Sequence, residues 1–93
     1  MNQSIERRDI LYRGMVQGVG FRFSTQRIAQ SFAVAGYVKN LPDGRVQVIV
    51  EGKPDEIDRF LLAITESLGH YITEKKQETL TPNGKFSEFG IQL

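Results

Sequence analysis

The chain has 93 residues, of which twelve are basic and eleven acidic, with one histidine and no cysteine. This length supports one hydrophobic core, and a formal net charge of +1 is too small for the positive field of a dedicated nucleic-acid-binding protein. The lack of cysteine excludes disulfides, thiolate metal ligands and thiol nucleophiles.

Targeting signals are missing from the pattern of apolar residues. Residues 1–8 are polar and lack the apolar stretch of a signal peptide, and no apolar run reaches the length of a membrane span. We therefore expect a single domain over residues 1–93, located in the cytoplasm, with a loose start at residues 1–8.

The first part of the chain predicts a strand, a glycine-rich turn and a helix. Apolar and polar residues alternate over residues 9–13, as in a strand with one buried face. Glycines then interrupt the pattern over residues 14–20. Apolar side chains recur at helical spacing over residues 21–35, and Gly36 occupies the position of a C-terminal helix cap.

The middle of the chain predicts a β-hairpin and a second helix. Residues 36–41 and 45–51 read as two strands joined by a Pro-Asp-Gly turn, in which proline presets φ and glycine tolerates positive φ. Pro54 suits the start of the second helix, and Gly69 suits its end.

The C-terminal part of the chain has the least regular alternation of apolar and polar residues, so its strands are the hardest to predict. Residues 71–80 have strand-forming side chains but many charges, which favours an edge strand or a partly irregular segment. A Pro-Asn-Gly turn at residues 82–84 precedes alternating apolar side chains over residues 89–93. The predicted order is β-α-β-β-α-β with an extra C-terminal strand, an α+β fold with two helices on one face of a mainly antiparallel sheet.

The glycine-rich turn is the first candidate for chemistry. Its bare backbone N–H groups precede the positive end of a helix, an arrangement that binds phosphate. The candidate donors are the amides of Val16, Gln17, Gly18, Val19 and Gly20. The same glycines could instead serve only a tight strand-to-helix turn. The turn lacks the Gly-Lys-Ser/Thr ending of a nucleotide P-loop and the glycine spacing of a dinucleotide-binding fold.

Arg22 follows this turn directly and is the first candidate side chain. A guanidinium binds a tetrahedral anion through two parallel hydrogen bonds, which a lysine cannot form. The alternative is an ordinary solvated arginine in the first helical turn. That alternative is weakened because a cation at a helix N-terminus opposes the helix dipole unless an anion lies between them.

Asn40, before the hairpin turn, is the second candidate. Its amide can orient a water molecule by donating and accepting hydrogen bonds at once, but asparagine also commonly begins a turn. The spacing does not choose between these roles. His70 follows the predicted end of the second helix, where a cap or surface role is favoured over a catalytic base.

Two motifs in this order resemble the acylphosphatase family. The first motif is Gly14-Met15-Val16-Gln17-Gly18-Val19-Gly20-Phe21-Arg22. The second motif is Gly36-Tyr37-Val38-Lys39-Asn40, followed by Asp43-Gly44-Arg45-Val46. The resemblance continues to Phe89-Gly90-Ile91 and covers nearly the whole chain, with residues 70–85 matching least.

The resemblance implies a ferredoxin-like α/β sandwich and an enzyme that hydrolyses acyl phosphates to a carboxylate and inorganic phosphate. It implies that Arg22 and the loop amides bind the phosphoryl group and that Asn40 orients the attacking water. One histidine and no cysteine make a transition-metal site improbable, so we expect neither a metal nor another cofactor. The expected partner is a small-molecule acyl phosphate, bound by a monomer, without nucleic acid or membrane.

Two other functions stay open on the sequence. A non-catalytic module that binds phosphate or an acyl phosphate could use the same fold, because fold does not determine function. An RNA-binding sheet of the RRM type shares the element order. It needs exposed aromatic side chains on its central strands, where this chain has Gln47, Ile49 and Glu51.

Overall fold

The fold is a five-stranded sheet with two helices packed on one face. The computed structural model describes residues 4–93. The strands are β1 (Glu6–Gly14), β2 (Val34–Asn40), β3 (Val46–Gly52), β4 (Ile72–Leu80) and β5 (Phe89–Gln92), in the sheet order β4-β1-β3-β2-β5. The helices are α1 (Phe21–Ala29) and α2 (Pro54–Leu68), and a 3-10 turn (Gly69–Tyr71) leads into β4. Within residues 4–93 only β2 and β5 pair in parallel, so the predicted α+β class and element order are confirmed.

The core lies between the helices and the inner face of the central strands. Val46, Val48 and Val50 alternate along β3 and are fully buried on this face. The apolar stripe of α2 is buried against the same face and includes Ile57, Phe60 and Ile64. Burial of each such side chain contributes roughly 1.5–3 kcal/mol, so this layer fixes the sheet against α2.

The hairpin and the second helix lie where the sequence predicts them. β2 and β3 pair antiparallel, and α2 begins at Pro54 and ends just before Gly69. The carbonyl of Lys53 accepts the N–H of Ile57 at 3.0 Å, which closes the first turn of α2. Within residues 4–93, neither helix has the length and apolar character needed to cross a membrane.

The first helix is shorter than predicted. α1 ends at Ala29, where Gln30 forms its C-terminal cap, although the apolar spacing continues beyond this point. Val34 already pairs with Gly52 of β3. Hydrogen bonding to the sheet therefore overrides the helical pattern over the residues in between.

Gly36 is not a helix cap, contrary to the prediction. It lies inside β2 opposite Val50, with a φ of +139°. A Cβ atom at this position would overlap the carbonyl oxygen of Ile49. Glycine is required here because the backbones of β2 and β3 approach too closely for a side chain.

The two ends of the chain also differ from the predicted boundaries. β1 begins at Glu6 rather than at residue 9, and residues 1–3 of the predicted loose start lie outside the described residues. β4 is a regular strand at the edge of the sheet, as expected for its charged sequence. Residues 81–88, which include the turn predicted at 82–84, contain neither helix nor strand.

Residues 81–88, here called the crossing segment, connect the two opposite edges of the sheet. They contact the face away from the helices, because Glu51 alternates with the inward-facing Val50 along β3. The Glu51 carboxylate accepts hydrogen bonds from the backbone N–H groups of Asn83 at 3.0 Å and Gly84 at 3.3 Å. Arg7 forms an ion pair with the same carboxylate at 3.4 Å. Glu51 therefore fastens the crossing segment to the sheet.

Replacing Glu51 with glutamine is expected to lower the free energy of unfolding by about 2 kcal/mol, since hydrogen bonds to a charged group each contribute about 1.5–3 kcal/mol. The glutamine amide retains one acceptor oxygen, but its NH2 group would face a backbone donor. Urea unfolding of the variant and the wild type measures the difference. Glu88→Gln, an exposed position of the same segment, is the control. A loss equal to that of the control would contradict this role of Glu51.

Candidate active site

A cleft of about 360 Å³ opens where β1 and β2 end and α1 begins. Its lining combines turn backbone, two polar side chains and several apolar ones: Val16, Gly18, Gly20, Phe21, Arg22, Phe23, Asn40, Ile91 and Leu93. The fold thus brings Arg22 and Asn40, which belong to separate sequence motifs, into one cleft.

The glycine-rich turn presents the N-terminus of α1 to this cleft. Gly18 and Gly20 have φ angles of 79° and 78°, a left-handed conformation that glycine adopts without steric cost. A Cβ atom at either glycine would have no heavy atom within 4 Å, so the backbone here is open to the cleft. Gly20 is the N-cap of α1, with no side-chain cap and no acidic residue in the first turn. The positive end of the helix therefore faces the cleft without a carboxylate from this turn.

Arg22 is the second residue of α1, and its partly buried side chain lines the cleft. Within residues 4–93 it forms no ion pair, whereas Arg8 and Arg45 each pair with a carboxylate, at 2.7 Å and 2.8 Å. Its guanidinium donors and the helix N-terminus have the same sign of charge. An anion between them would relieve this repulsion and accept hydrogen bonds from both.

Asn40 ends β2 and projects to the same side of the sheet as the buried Val38. Its Oδ1 atom is buried and has no hydrogen-bond partner among the described residues. Buried amide oxygens are nearly always hydrogen-bonded in folded proteins. An acceptor of this kind at the wall of a cleft can therefore bind a donor that enters the cleft.

The turn between β2 and β3 holds Asn40 in place and confirms the predicted Pro-Asp-Gly turn. The N–H of Leu41 donates to the carbonyl of Arg45 at 2.8 Å. The Asp43 carboxylate accepts the N–H of Arg45 at 3.1 Å and its guanidinium at 2.8 Å. The backbone N–H of Arg45, aided by its guanidinium, lowers the pKa of Asp43 below its usual value. The turn contacts are therefore retained throughout the neutral pH range.

The side chain of Gln17 joins the glycine-rich turn to this hairpin. Its Nε2 atom donates to the carbonyl oxygens of Leu41 at 2.8 Å and Arg45 at 3.0 Å. The sequence suggests only a backbone role for Gln17. The acceptors of its side chain are main-chain carbonyls, which every residue type has, so the sequence does not identify them. Gln17 and Val19 do not line the cleft with the other loop residues, and Val19 packs against the core.

Replacing Gln17 with alanine is expected to lower kcat about tenfold in the acyl phosphate hydrolysis that the sequence motifs predict, because a shift of about 1 Å between positioned groups can cost up to 10²-fold. The turn and the hairpin that carries Asn40 would lose their shared hydrogen bonds. Steady-state kinetics measure the effect. Gln30→Ala is the control, because the Gln30 side chain is exposed and donates a hydrogen bond to the carbonyl of Gln26, at 3.4 Å, within its own helix end rather than to the hairpin. A less stable Gln17 variant with unchanged kcat would show that these bonds only support the fold.

Three apolar side chains of the cleft, Phe23, Ile91 and Leu93, do not follow from the motifs. The alternation over residues 89–93 predicts a strand, but not the parallel pairing with β2 that brings its end to the cleft. Such a pairing joins segments far apart in sequence, and no local pattern specifies it.

The remaining titratable residues do not add to the cleft. His70 lies in the 3-10 turn and is exposed, with its ring 4.0 Å from that of Tyr71. Among residues 4–93, no three or more histidine, cysteine, aspartate or glutamate side chains are grouped so that they could hold a metal ion.

Comparisons with known proteins agree with the motifs and the fold. The family model described as Acylphosphatase matches residues 8–91. An acylphosphatase of Archaeoglobus fulgidus is 50% identical over 56 residues, so that the match covers 60% of this chain and 63% of that relative. An acylphosphatase of Thermotoga petrophila is 39% identical over 84 residues, which cover 89% of this chain and 92% of the relative.

A solved structure extends the likeness to the whole fold. The crystal structure of acylphosphatase from Bacillus subtilis matches with a TM-score of 0.83 and 32% sequence identity. The match covers 97% of this chain and 100% of that one. This chain belongs to the acylphosphatase family.

Proposed function

We propose that this chain acts as a single-domain acylphosphatase, which hydrolyses acyl phosphates to a carboxylate and inorganic phosphate. The observation that carries the proposal is the lining of one cleft by three groups that lack partners within residues 4–93: a helix N-terminus without a side-chain cap, an arginine without an ion pair, and an asparagine whose buried oxygen accepts no hydrogen bond. These are the groups that a phosphoryl transfer to water requires. Membership of the acylphosphatase family supports the same reaction.

The phosphoryl group is held at the start of α1. The proposed donors to its oxygens are the backbone N–H groups of Val16, Gly18 and Gly20, which line the cleft, and those of Gln17 and Val19, which alternate with them along the turn. Arg22 adds two charge-assisted hydrogen bonds from the helix side. In the transition state the negative charge spreads over the equatorial phosphoryl oxygens, so donors fixed around them stabilise that state most.

Asn40 positions the attacking water. Its Oδ1 accepts a hydrogen bond from the water and orients the water oxygen toward phosphorus. As the new P–O bond forms, the bond from phosphorus to the acyl oxygen breaks and the carboxylate leaves with the electron pair. The proton of the water passes to a phosphate oxygen, so inorganic phosphate is the second product.

The leaving group explains why so few side chains are needed. A carboxylate is a weak base and departs without a general acid, so His70 has no required part in the reaction. Charge stabilisation falls to backbone N–H groups and Arg22, and we expect no cofactor.

The proposal also covers the cellular location, the oligomeric state and the binding partners of the enzyme. We infer that it works in the cytoplasm as a monomer on a small-molecule acyl phosphate, without nucleic acid or membrane as a partner. The near-even balance of twelve basic and eleven acidic residues supports the lack of a nucleic-acid partner, because it gives no strong field for a charged polymer.

The test of the proposal is hydrolysis of benzoyl phosphate by the purified protein in the presence of EDTA. The reaction is monitored by the loss of ultraviolet absorbance. Continuous turnover, unchanged by the chelator, is the expected result. Loss of activity in EDTA with recovery on addition of Mg²⁺ would contradict the scheme. A folded protein that binds inorganic phosphate without turnover would be the non-catalytic binding module instead.

A further inference from the structure

Three apolar side chains are exposed around the proposed phosphate site. Phe23 is 60% exposed, Ile91 38% and Leu93 97%, and all three line the cleft that also contains Arg22. An exposed phenylalanine leaves a large apolar area in contact with water, which costs free energy unless a ligand covers it. These residues form an apolar wall, which we define as Phe23, Ile91 and Leu93.

The position of Phe23 on α1 separates it from the core. The buried side chains of α1 are Phe21, Thr25 and Ala29, which lie on the face toward the sheet. Phe23 lies two positions from Phe21, about 200° around the helix, so it points away from that face. The packing of α1 therefore gives no reason for an aromatic side chain at this position.

Ile91 reaches the cleft through the parallel pairing of β5 with β2. Ile91 pairs with Val38, and Gln92 pairs with Lys39, so the C-terminal ends of β5 and β2 lie side by side. Because side chains alternate, Ile91 and Leu93 lie on the same side of the sheet as Asn40. The wall is thus composed of two sequence-distant segments that meet beside the candidate catalytic groups.

The two halves of an acyl phosphate differ in polarity, and the cleft lining likewise combines polar and apolar groups. The phosphoryl half needs charged and N–H donors, which the turn and Arg22 supply. The cleft volume of about 360 Å³ exceeds what a phosphoryl group fills and is of the size that takes a small organic ligand. Apart from the turn backbone, Arg22 and Asn40, the side chains that line the cleft are apolar.

We propose that Phe23, Ile91 and Leu93 form an acyl-binding subsite, which makes aromatic or other bulky apolar acyl phosphates better substrates than acetyl phosphate. The inference rests on the proposed function, because the phosphoryl group must be anchored beside Arg22 for the acyl group to reach the wall. Contact with the wall removes apolar surface of both partners from water.

The ratio of kcat/KM for benzoyl phosphate to that for acetyl phosphate tests the subsite. We expect Phe23→Ala, and Phe23→Ala combined with Leu93→Ala, to lower this ratio about tenfold or more, since small changes of apolar contact shift specificity about 10–200-fold. Alanine suits an exposed helix position, so the variant is expected to fold. Leu62→Ala is the matched control, because Leu62 is also an exposed apolar residue on a helix, 57% accessible, and does not line the cleft.

The outcomes separate the inference from the proposed function. Hydrolysis of both substrates, with a ratio that falls in the wall variants and not in Leu62→Ala, would support the subsite. Hydrolysis of both substrates with the same ratio in all variants would overturn the subsite and leave the proposed function intact. A folded wild type that hydrolyses neither substrate would overturn both.

Discussion

Replacing Arg22 with alanine is expected to lower kcat/KM for benzoyl phosphate about 10³-fold or more, because charge-assisted, preorganised donors stabilise the transition state by about 3–4 kcal/mol or more. Both the affinity for phosphate and the turnover should fall, since in the proposed mechanism the guanidinium contacts the phosphoryl group before and during the reaction. The measurements are steady-state kinetics and competitive inhibition by inorganic phosphate. Stability should change little, because Arg22 has no ion-pair partner in residues 4–93 to lose.

Two further variants isolate the role of the guanidinium. Arg22→Lys keeps the positive charge but cannot form the two parallel hydrogen bonds, so most of the loss should persist. Arg27→Ala removes a basic side chain from the last turn of the same helix, away from the cleft, and should retain activity. Full activity in Arg22→Ala would place the anion site elsewhere.

Replacing Asn40 with alanine is expected to lower kcat about 10²–10³-fold, as does the removal of one positioned hydrogen-bonding group in other acyl- and phosphoryl-transfer sites. KM and inhibition by phosphate should change far less, because the amide is assigned to the water and not to the anion. Its buried Oδ1 has no partner among the described residues, so the fold loses no hydrogen bond to that oxygen.

Asn83→Ala is the control for Asn40, since Asn83 is exposed and lies in the crossing segment. Thermal unfolding of both variants shows whether the changes in kcat arise at the site. If Asn40→Ala weakened phosphate binding as much as Arg22→Ala and left turnover unchanged, the division between water positioning and anion binding would be wrong.

Local sequence signals predict those parts of the fold that local interactions decide. The β2–β3 hairpin has its own turn chemistry, and α2 has proline at its start and glycine after its end. The end of α1 is decided by pairing with β3, a partner that is distant in sequence. The sequence pattern assigns Gly36 to a helix cap, whereas the close approach of Ile49 on the neighbouring strand is what requires glycine there.

The candidate site, like the fold, is predicted from the sequence only where its residues are close together in the chain or in a motif. The turn and Arg22 are neighbours in sequence, so a motif predicts their proximity. Asn40 joins them through the strand order of the sheet, which the element pattern also implies. The link from Gln17 to the hairpin and the wall from β5 depend on side-chain direction and on a parallel pairing, neither of which residue types reveal.

The manner in which β5 is held has a consequence for the release of products. In the described part of the chain β5 pairs with one strand, β2, over four positions. The crossing segment before it is bound to Glu51 near the opposite end of the sheet. Short edge elements open locally at a lower free energy than the core. The turn before α1, by contrast, is continuous with the central strand β1 and is tied to the hairpin by Gln17. We therefore expect the carboxylate product to leave when β5 loosens, while the proposed phosphate donors stay in place for the next substrate.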